Sequence, residues 1–242
     1  MAVVFFVVAY LYSSAGLAGG SSYTSLLIIW GLSTTIVPTI SLTLNVLVST
    51  VGSINFIRAG HASLKLILPF VLSSIPLAYV GGTLKLSPYV FQIILLVSLV
   101  FVAARIFFWK NVQLALQPSA NVKLALSLFV GAMLGLLAGI TGIGGGIYLV
   151  PLIIVLNLGT IKQAAACGVI FIWLNSLSGL ISRANYNAVD ISTYIPVIIA
   201  VVIGGFFGSF AGANKLPSRK MEKILGIIIL VAIILLFKKI VS

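Results

Sequence analysis

From Leu124 to Ile161 the chain carries no charged residue, yet five glycines fall within the eight residues from Gly139 to Gly146, and Pro151 follows shortly after. In water such a stretch would be a flexible loop. Flanked by Leu-, Ile- and Val-rich sequence on both sides, it is a backbone break at membrane depth. Non-helical backbone is tolerated there only where protein or a polar cavity surrounds it. A shorter version, Ser14-Ala-Gly16-Leu-Ala-Gly19-Gly20-Ser-Ser-Tyr, lies near the N-terminus. Two interrupted helices in matching positions point to a binding site near the bilayer midplane.

Composition fixes the class. The 242 residues are 61% hydrophobic and carry 14 Lys+Arg against 2 Asp+Glu, whereas charged residues make up about a quarter of a soluble domain. The chain is predicted to be an all-α polytopic membrane protein, integral to the cell (plasma) membrane and multi-pass. A barrel is excluded, because barrel strands alternate apolar and polar and these segments are apolar all round. The net charge of +12 sits between or at the ends of apolar runs, where basic residues meet lipid headgroups and set topology. Nucleic acid is therefore not an expected partner. One cysteine, Cys167, excludes an intramolecular disulfide and a multi-cysteine metal cluster, and no metal or other cofactor is expected. The apolar first dozen residues lack a basic n-region, so they read as a membrane helix rather than a signal peptide.

Internal similarity divides the chain. A shift of 126 places Gly16 on Gly142, Gly19 on Gly145 and Gly20 on Gly146. Beyond Thr34 a shift of 130 places Asn45 on Asn175, Asn55 on Asn185, Gly82 on Gly212 and Lys85 on Lys215. The expected organisation is a first transmembrane repeat over 1–110, a linker over 111–122 and a second repeat over 123–242. Each repeat holds about four helices and opens with a glycine-broken or re-entrant helix. Four crossings per half would give both repeats the same orientation, related by an axis along the membrane normal. A slight excess of lysine and arginine on the side of the termini then favours cytoplasmic termini. Pro69 and Pro76 are expected to kink the span over 66–84.

The candidate site follows from the breaks. Each ends where a short helix of about eleven residues, roughly 16 Å long, begins. A helix N-terminus presents free N–H groups and about half a positive charge, which makes an anion site without any basic side chain. Candidate substrate contacts are Gly19, Gly20, Ser21 and Ser22 in the first half, with Thr24 and Ser25 as further hydroxyl donors. In the second half they are Gly142, Gly144, Gly145, Gly146 and Tyr148. Close packing through small residues is the competing structural reading of the glycines. Asn45 and Asn175, beside Ser41 and Ser176, hold equivalent repeat positions, and a carboxamide inside an apolar helix either pairs with another helix or lines a wet cavity. Arg183 could draw an anion to a pathway mouth or simply snorkel to the headgroups. His61 is expected to be solvated and Cys167 to pack as a small hydrophobe. Asp190 and Glu222 are the only carboxylates and belong to loops or helix ends, so proton relay, metal chemistry and hydrolysis find no constellation here. The chain is not expected to be an enzyme.

The run Gly142-x-Gly144-Gly145-Gly146 followed by Val150-Pro151-Leu152, then Asn175, Ser178-Gly179 and the Gly-rich span Gly204–Gly212, resembles the TauE/SafE sulfite-exporter family, also called the 4-toluene sulfonate uptake family. The first half matches less fully, with Ser25 where the second half has Pro151. The resemblance implies secondary transport or facilitation of small sulfur-containing anions such as sulfite, sulfoacetate and other organosulfonates. The implied partners are that anion and membrane lipids, and a homodimer is compatible with the sequence. The alternative is a non-transporting integral-membrane assembly or scaffold protein that uses its glycines for packing alone.

Overall fold

The computed structural model describes residues 1–108, 119–184, 189, 191–214, 230–231, 233–238 and 240. Most of the expected linker lies outside these, as do Asn185, Asp190, Glu222 and the basic run from Lys215 to Lys223. Nine helices are described: α1 (Ala2–Ser14), α2 (Gly20–Ile29), α3 (Val37–Arg58), α4 (Leu64–Thr83), α5 (Pro88–Phe108), α6 (Ala120–Thr141), α7 (Gly146–Val155), α8 (Ile161–Arg183) and α9 (Ile195–Asn214). Helices α3, α4, α6, α8 and α9 are long and apolar enough to cross a membrane. Exposed Leu, Ile, Val and Phe cover the outside, among them Leu64, Leu72, Phe129 and Phe207, as lipid contact requires. The molecule is a multi-pass, all-helical membrane protein.

Local chemistry sets several helix ends. Thr160 caps α8 through a reciprocal capping box: its hydroxyl accepts from the Gln163 N–H at 3.2 Å, and its own N–H donates to Gln163 Oε1 at 2.9 Å. Pro38 stands in the first turn of α3, where its missing N–H costs nothing. Helix α4 runs continuously through Pro69 and Pro76.

At each glycine break the chain reverses. Phe5 of α1 stacks on Tyr23 of α2 and on Trp30 just after it, with ring centroids 5.2 and 5.7 Å apart. The Tyr12 hydroxyl hydrogen-bonds with Ser21 and Ser22 at 2.8 and 2.9 Å, so α2 folds back along α1. In the second half, Gly145 lies beside Leu134 and Ala138 of α6, and α7 runs against α8 with Gly146 near Ile172 and Val150 near Gly168. Both reversals turn on left-handed glycines: Gly16 and Gly19 at φ +75° and +109°, then Gly142, Gly144 and Gly145 at +75°, +85° and +78°. A Cβ is strained in that region.

Two glycine rows bring backbones together. Gly131, Gly135 and Gly139 of α6 lie on Phe70, Ser74 and Ala78 of α4, while Gly204, Gly208 and Gly212 of α9 lie on Phe6, Tyr10 and Ser14 of α1. These are the most extensive helix pairs among the described residues, and small residues four apart are the standard way to gain van der Waals contact where lipid supplies no hydrophobic drive.

The same contacts give helix directions. Helix α4 runs parallel to α6, and α1 parallel to α9. Val48 of α3 meets Gly205, and Asn55 Nδ2 donates to Ser209 Oγ at 2.8 Å, so α3 runs with α9. Across the centre, Leu42 meets Gly179 while Gly52 meets Val169, so α3 and α8 are antiparallel. The sequence shift pairs these two helices, and the expectation that both halves share one orientation does not hold for them. The reason lies in the breaks: α2 runs back antiparallel to α1, and α7 runs antiparallel to α8, so neither break carries the chain across.

Candidate functional site

The start of α2 meets the second glycine break at the centre of the molecule. A side chain at Gly20 would run into the Asn45 carboxamide and the Ile143 carbonyl. Asn45 and Ser41, one turn apart on α3, both face the same backbone. Asn45 Nδ2 donates to the Gly142 carbonyl at 3.0 Å, and the Ser41 hydroxyl lies 2.9 Å from that carbonyl and 3.3 Å from the Gly20 carbonyl. Thr24 of α2 donates to Ser41 Oγ at 2.9 Å and lies 3.4 Å from the Thr141 carbonyl. Helices α2 and α3 thus hold the end of α6 through hydroxyls and one carboxamide. Thr24, Ser41, Asn45, Asn175 and Ser176 are all buried to 0% exposure.

Polar capacity is left over. With its nitrogen on the Gly142 carbonyl, the Asn45 carboxamide lies against Gly20, with both of its polar atoms within 3 Å of the position a Cβ would take there. Asn175 Nδ2 donates to the Phe171 carbonyl of its own helix at 2.8 Å. Among the described residues, Asn45 Oδ1, Asn175 Oδ1 and Ser176 Oγ have no hydrogen-bond partner. Ser176 Oγ and Asn45 Nδ2 lie 3.1 and 3.2 Å from the position a Cβ would take on Gly144, so α3 and α8 converge on that glycine. A buried polar group without a partner costs about 1–3 kcal/mol. In addition, no side chain caps α2 or α7, whose N-cap residues are Gly19 and Gly145. Buried helix starts without side-chain acceptors carry the positive end of the helix dipole into the protein interior.

Not every candidate reaches this centre. Ser21 and Ser22 are turned to Tyr12, whose role the sequence reading missed; a tyrosine in the last turn before the break was its only signal. Tyr148 packs against Phe101 of α5 with centroids 6.3 Å apart, and Gly146 lies under Ile172. Arg183 is 5% exposed and does not snorkel. Its Nη2 donates to the Gly139 and Ile140 carbonyls at 2.8 and 3.1 Å, capping the C-terminal end of α6. His61 is not simply solvated: its Nε2 lies 3.1 Å from the Ala213 carbonyl, which also accepts from Lys162 Nζ at 2.8 Å. Cys167 is buried and free, in line with its expected packing role.

Lipid-facing helices packed around a buried polar centre make this a polytopic membrane protein. The family model for the sulfite exporter TauE/SafE matches residues 1–236, and the chain belongs to that family of membrane transporters. It is similar to the probable membrane transporter protein y4hK of Sinorhizobium fredii, with 32% identity over 96% of this chain and 95% of the relative. It is also similar to the probable membrane transporter protein YjnA of Bacillus subtilis, with 24% identity over 92% of each. No solved structure matches.

Proposed function

We propose that the chain carries a small sulfur-containing oxyanion, sulfite or an organosulfonate, through the buried polar centre between its two halves. The observation that carries this reading is the meeting of α2 with the second glycine break at a fully buried cluster in which neither short helix has a side-chain cap. Oriented N–H dipoles held away from water bind an anion without a countercharge. Asn45, Ser41, Ser176 and the glycines Gly20, Gly142 and Gly144 are the groups nearest that centre. Gly19 and Gly145 set the turns.

The two halves read as an inverted repeat. Several equivalences support this. The sequence shifts carry α2 onto α7 and α3 onto α8. Gly142 against Pro38 corresponds to Gly16 beside Ala165 and Gly168. The α6–α4 pair corresponds to α1–α9. The antiparallel course of α3 and α8 follows from a pseudo-two-fold axis in the membrane plane, the arrangement in which alternating access is achieved by rocking one repeat against the other.

Flux of sulfite and of simple alkanesulfonates into proteoliposomes tests the reading, with empty liposomes and an Asn45→Leu variant as controls. Saturable flux that falls at least about tenfold in the variant, a loss of about 1.4 kcal/mol, is the expected result. Well-folded protein that moves none of these anions would refute it.

A further inference from the structure

At the start of α2, Gly20 meets Asn45 while Ser21 and Ser22 turn to Tyr12, so a second group of hydroxyls stands apart from the central cluster. Tyr12, Ser21, Ser22, Tyr23 and Tyr148 are all 7% exposed or less. Ser21 and Ser22 stand in the first turn of α2, and Tyr148 holds the position on α7 that the 126-residue shift pairs with Ser22. Tyr23 folds back over the N-cap residue, with its hydroxyl 2.8 Å from the position a Cβ would take on Gly19. Tyr12, in the last turn of α1, lies within electrostatic reach of both Tyr23 and Tyr148. We infer that these hydroxyls form a second donor set at the two helix starts, which meets the oxygens of the transported oxyanion on a face other than that of Asn45. The inference rests on the anion pathway proposed above.

The hydrogen bonds leave protons to give. Tyr12 is joined to Ser21 at 2.8 Å and to Ser22 at 2.9 Å, which uses two of the three hydroxyl protons in that group. The hydroxyls of Tyr23 and Tyr148 have no hydrogen-bond partner among the described residues. Tyr148 lies beside Ser98 of α5 without closing a hydrogen bond, and Ser98 gives its own proton to the Leu95 carbonyl at 2.7 Å. Three hydroxyl protons are thus undonated, as many as the oxygens of a sulfite or sulfonate group. Hydroxyls rotate to suit their partners, so those of Tyr12, Ser21 and Ser22 can exchange mutual bonds for bonds to an ion.

Two helices also end at this level, α1 and α6, and a helix C-terminus disfavours an anion. Their terminal carbonyls are answered by donors. Those of Leu11, Tyr12 and Ser13 accept from Ser14 Oγ and from the N–H groups of Ala15, Gly16 and Leu17. Those of Gly139 and Ile140 accept from Arg183, and that of Gly142 from Asn45. The starts of α2 and α7 have no side-chain cap. An ion beside them therefore meets hydroxyls and open N–H groups.

Methanesulfonate flux into proteoliposomes, paired with thermal unfolding of the same purified proteins, tests the donor set. Tyr23→Phe and Tyr148→Phe each remove one undonated hydroxyl. Their melting temperatures without substrate should equal or exceed that of the unaltered protein, because no hydrogen bond is lost. Their KM for methanesulfonate should rise about tenfold or more, the worth of a hydrogen bond to a charged group. Tyr79→Phe, exposed on α4, should change neither quantity. An unchanged KM in either buried variant, or a KM that rises only together with a lowered melting temperature, overturns the donor set and leaves the central pathway standing. Unaltered, folded protein that carries neither methanesulfonate nor sulfite overturns the pathway, and the donor set with it.

Discussion

Ser176 separates binding from packing more cleanly than any other residue of the centre. Its hydroxyl is fully buried, has no partner among the described residues and lies 3.1 Å from the Cβ position of Gly144. If the serine served structure alone, its removal would relieve an unpaired polar group, so Ser176→Ala should leave the melting temperature unchanged or raise it. If the hydroxyl meets the substrate, the same change should raise the KM for anion flux several-fold, since a neutral hydrogen bond is worth about 1 kcal/mol. The expected outcome is both together, a stable protein with weakened substrate affinity. An unchanged KM, whatever the melting temperature does, would return Ser176 to a packing role. Arg183 shows the opposite logic. Its sequence position, near a helix end, invited either a snorkel or a pathway role, and no local pattern could reveal that the carbonyls it caps lie more than forty residues away on α6.

Between elements, the glycine rows differ in what opposes them, and stability should follow. A methyl group added at Gly135 or Gly208 meets the Ser74 or Tyr10 backbone, which cannot turn aside. At Gly52 it meets Val169 Cγ2 at 2.8 Å, the end of a side chain that a rotamer change can move. Gly135→Ala and Gly208→Ala should therefore cost about 1–3 kcal/mol, the usual penalty of overpacking, and Gly52→Ala clearly less. Thermal unfolding of the purified proteins, compared at one detergent concentration, checks the order; a Gly52 variant as damaged as the other two would refute it. Much at this scale was legible beforehand. The short apolar helices and the glycine-rich turns before them are properties of local sequence, because glycine density and apolar run length act locally. Tyr12 with Ser21 and Ser22, the approach of Pro38 to Gly142, and the cleft of about 330 Å³ beside the start of α3, lined by Thr34, Pro38, Lys85 and Arg183 among others, are contacts between segments far apart in the chain or folded back on one another. Periodicity carries no information about them.

Helix direction escaped the sequence for a related reason, and it changes the orientation of the whole molecule. Counting each break as part of a crossing helix carries the chain across at every break, whereas the described helices turn back at both breaks. With the directions set by contact, Arg58 ends α3, Lys65 begins α4, Lys123 lies in the first turn of α6 and Lys162 begins α8, all at the end opposite the cleft. In sequence, Lys110 follows α5, and Lys215, Arg219, Lys220 and Lys223 follow α9, helices that also finish at that end. Near the cleft stand only Lys85 and Arg183 among the described helix ends and turns between α3 and α9. Basic residues within about 15–20 positions of membrane helices favour the cytoplasm. The basic end should thus be cytoplasmic, with the cleft and the start of α1 on the outer face, contrary to the cytoplasmic termini that the four-crossing count favoured. Single cysteines in a Cys167→Ser background decide the matter in intact cells treated with a membrane-impermeant maleimide. Thr34→Cys, on the cleft, should label at once, and Ala62→Cys, exposed in the turn between α3 and α4, only after the cells are permeabilised. The reverse pattern would place the cleft in the cytoplasm and the basic end outside.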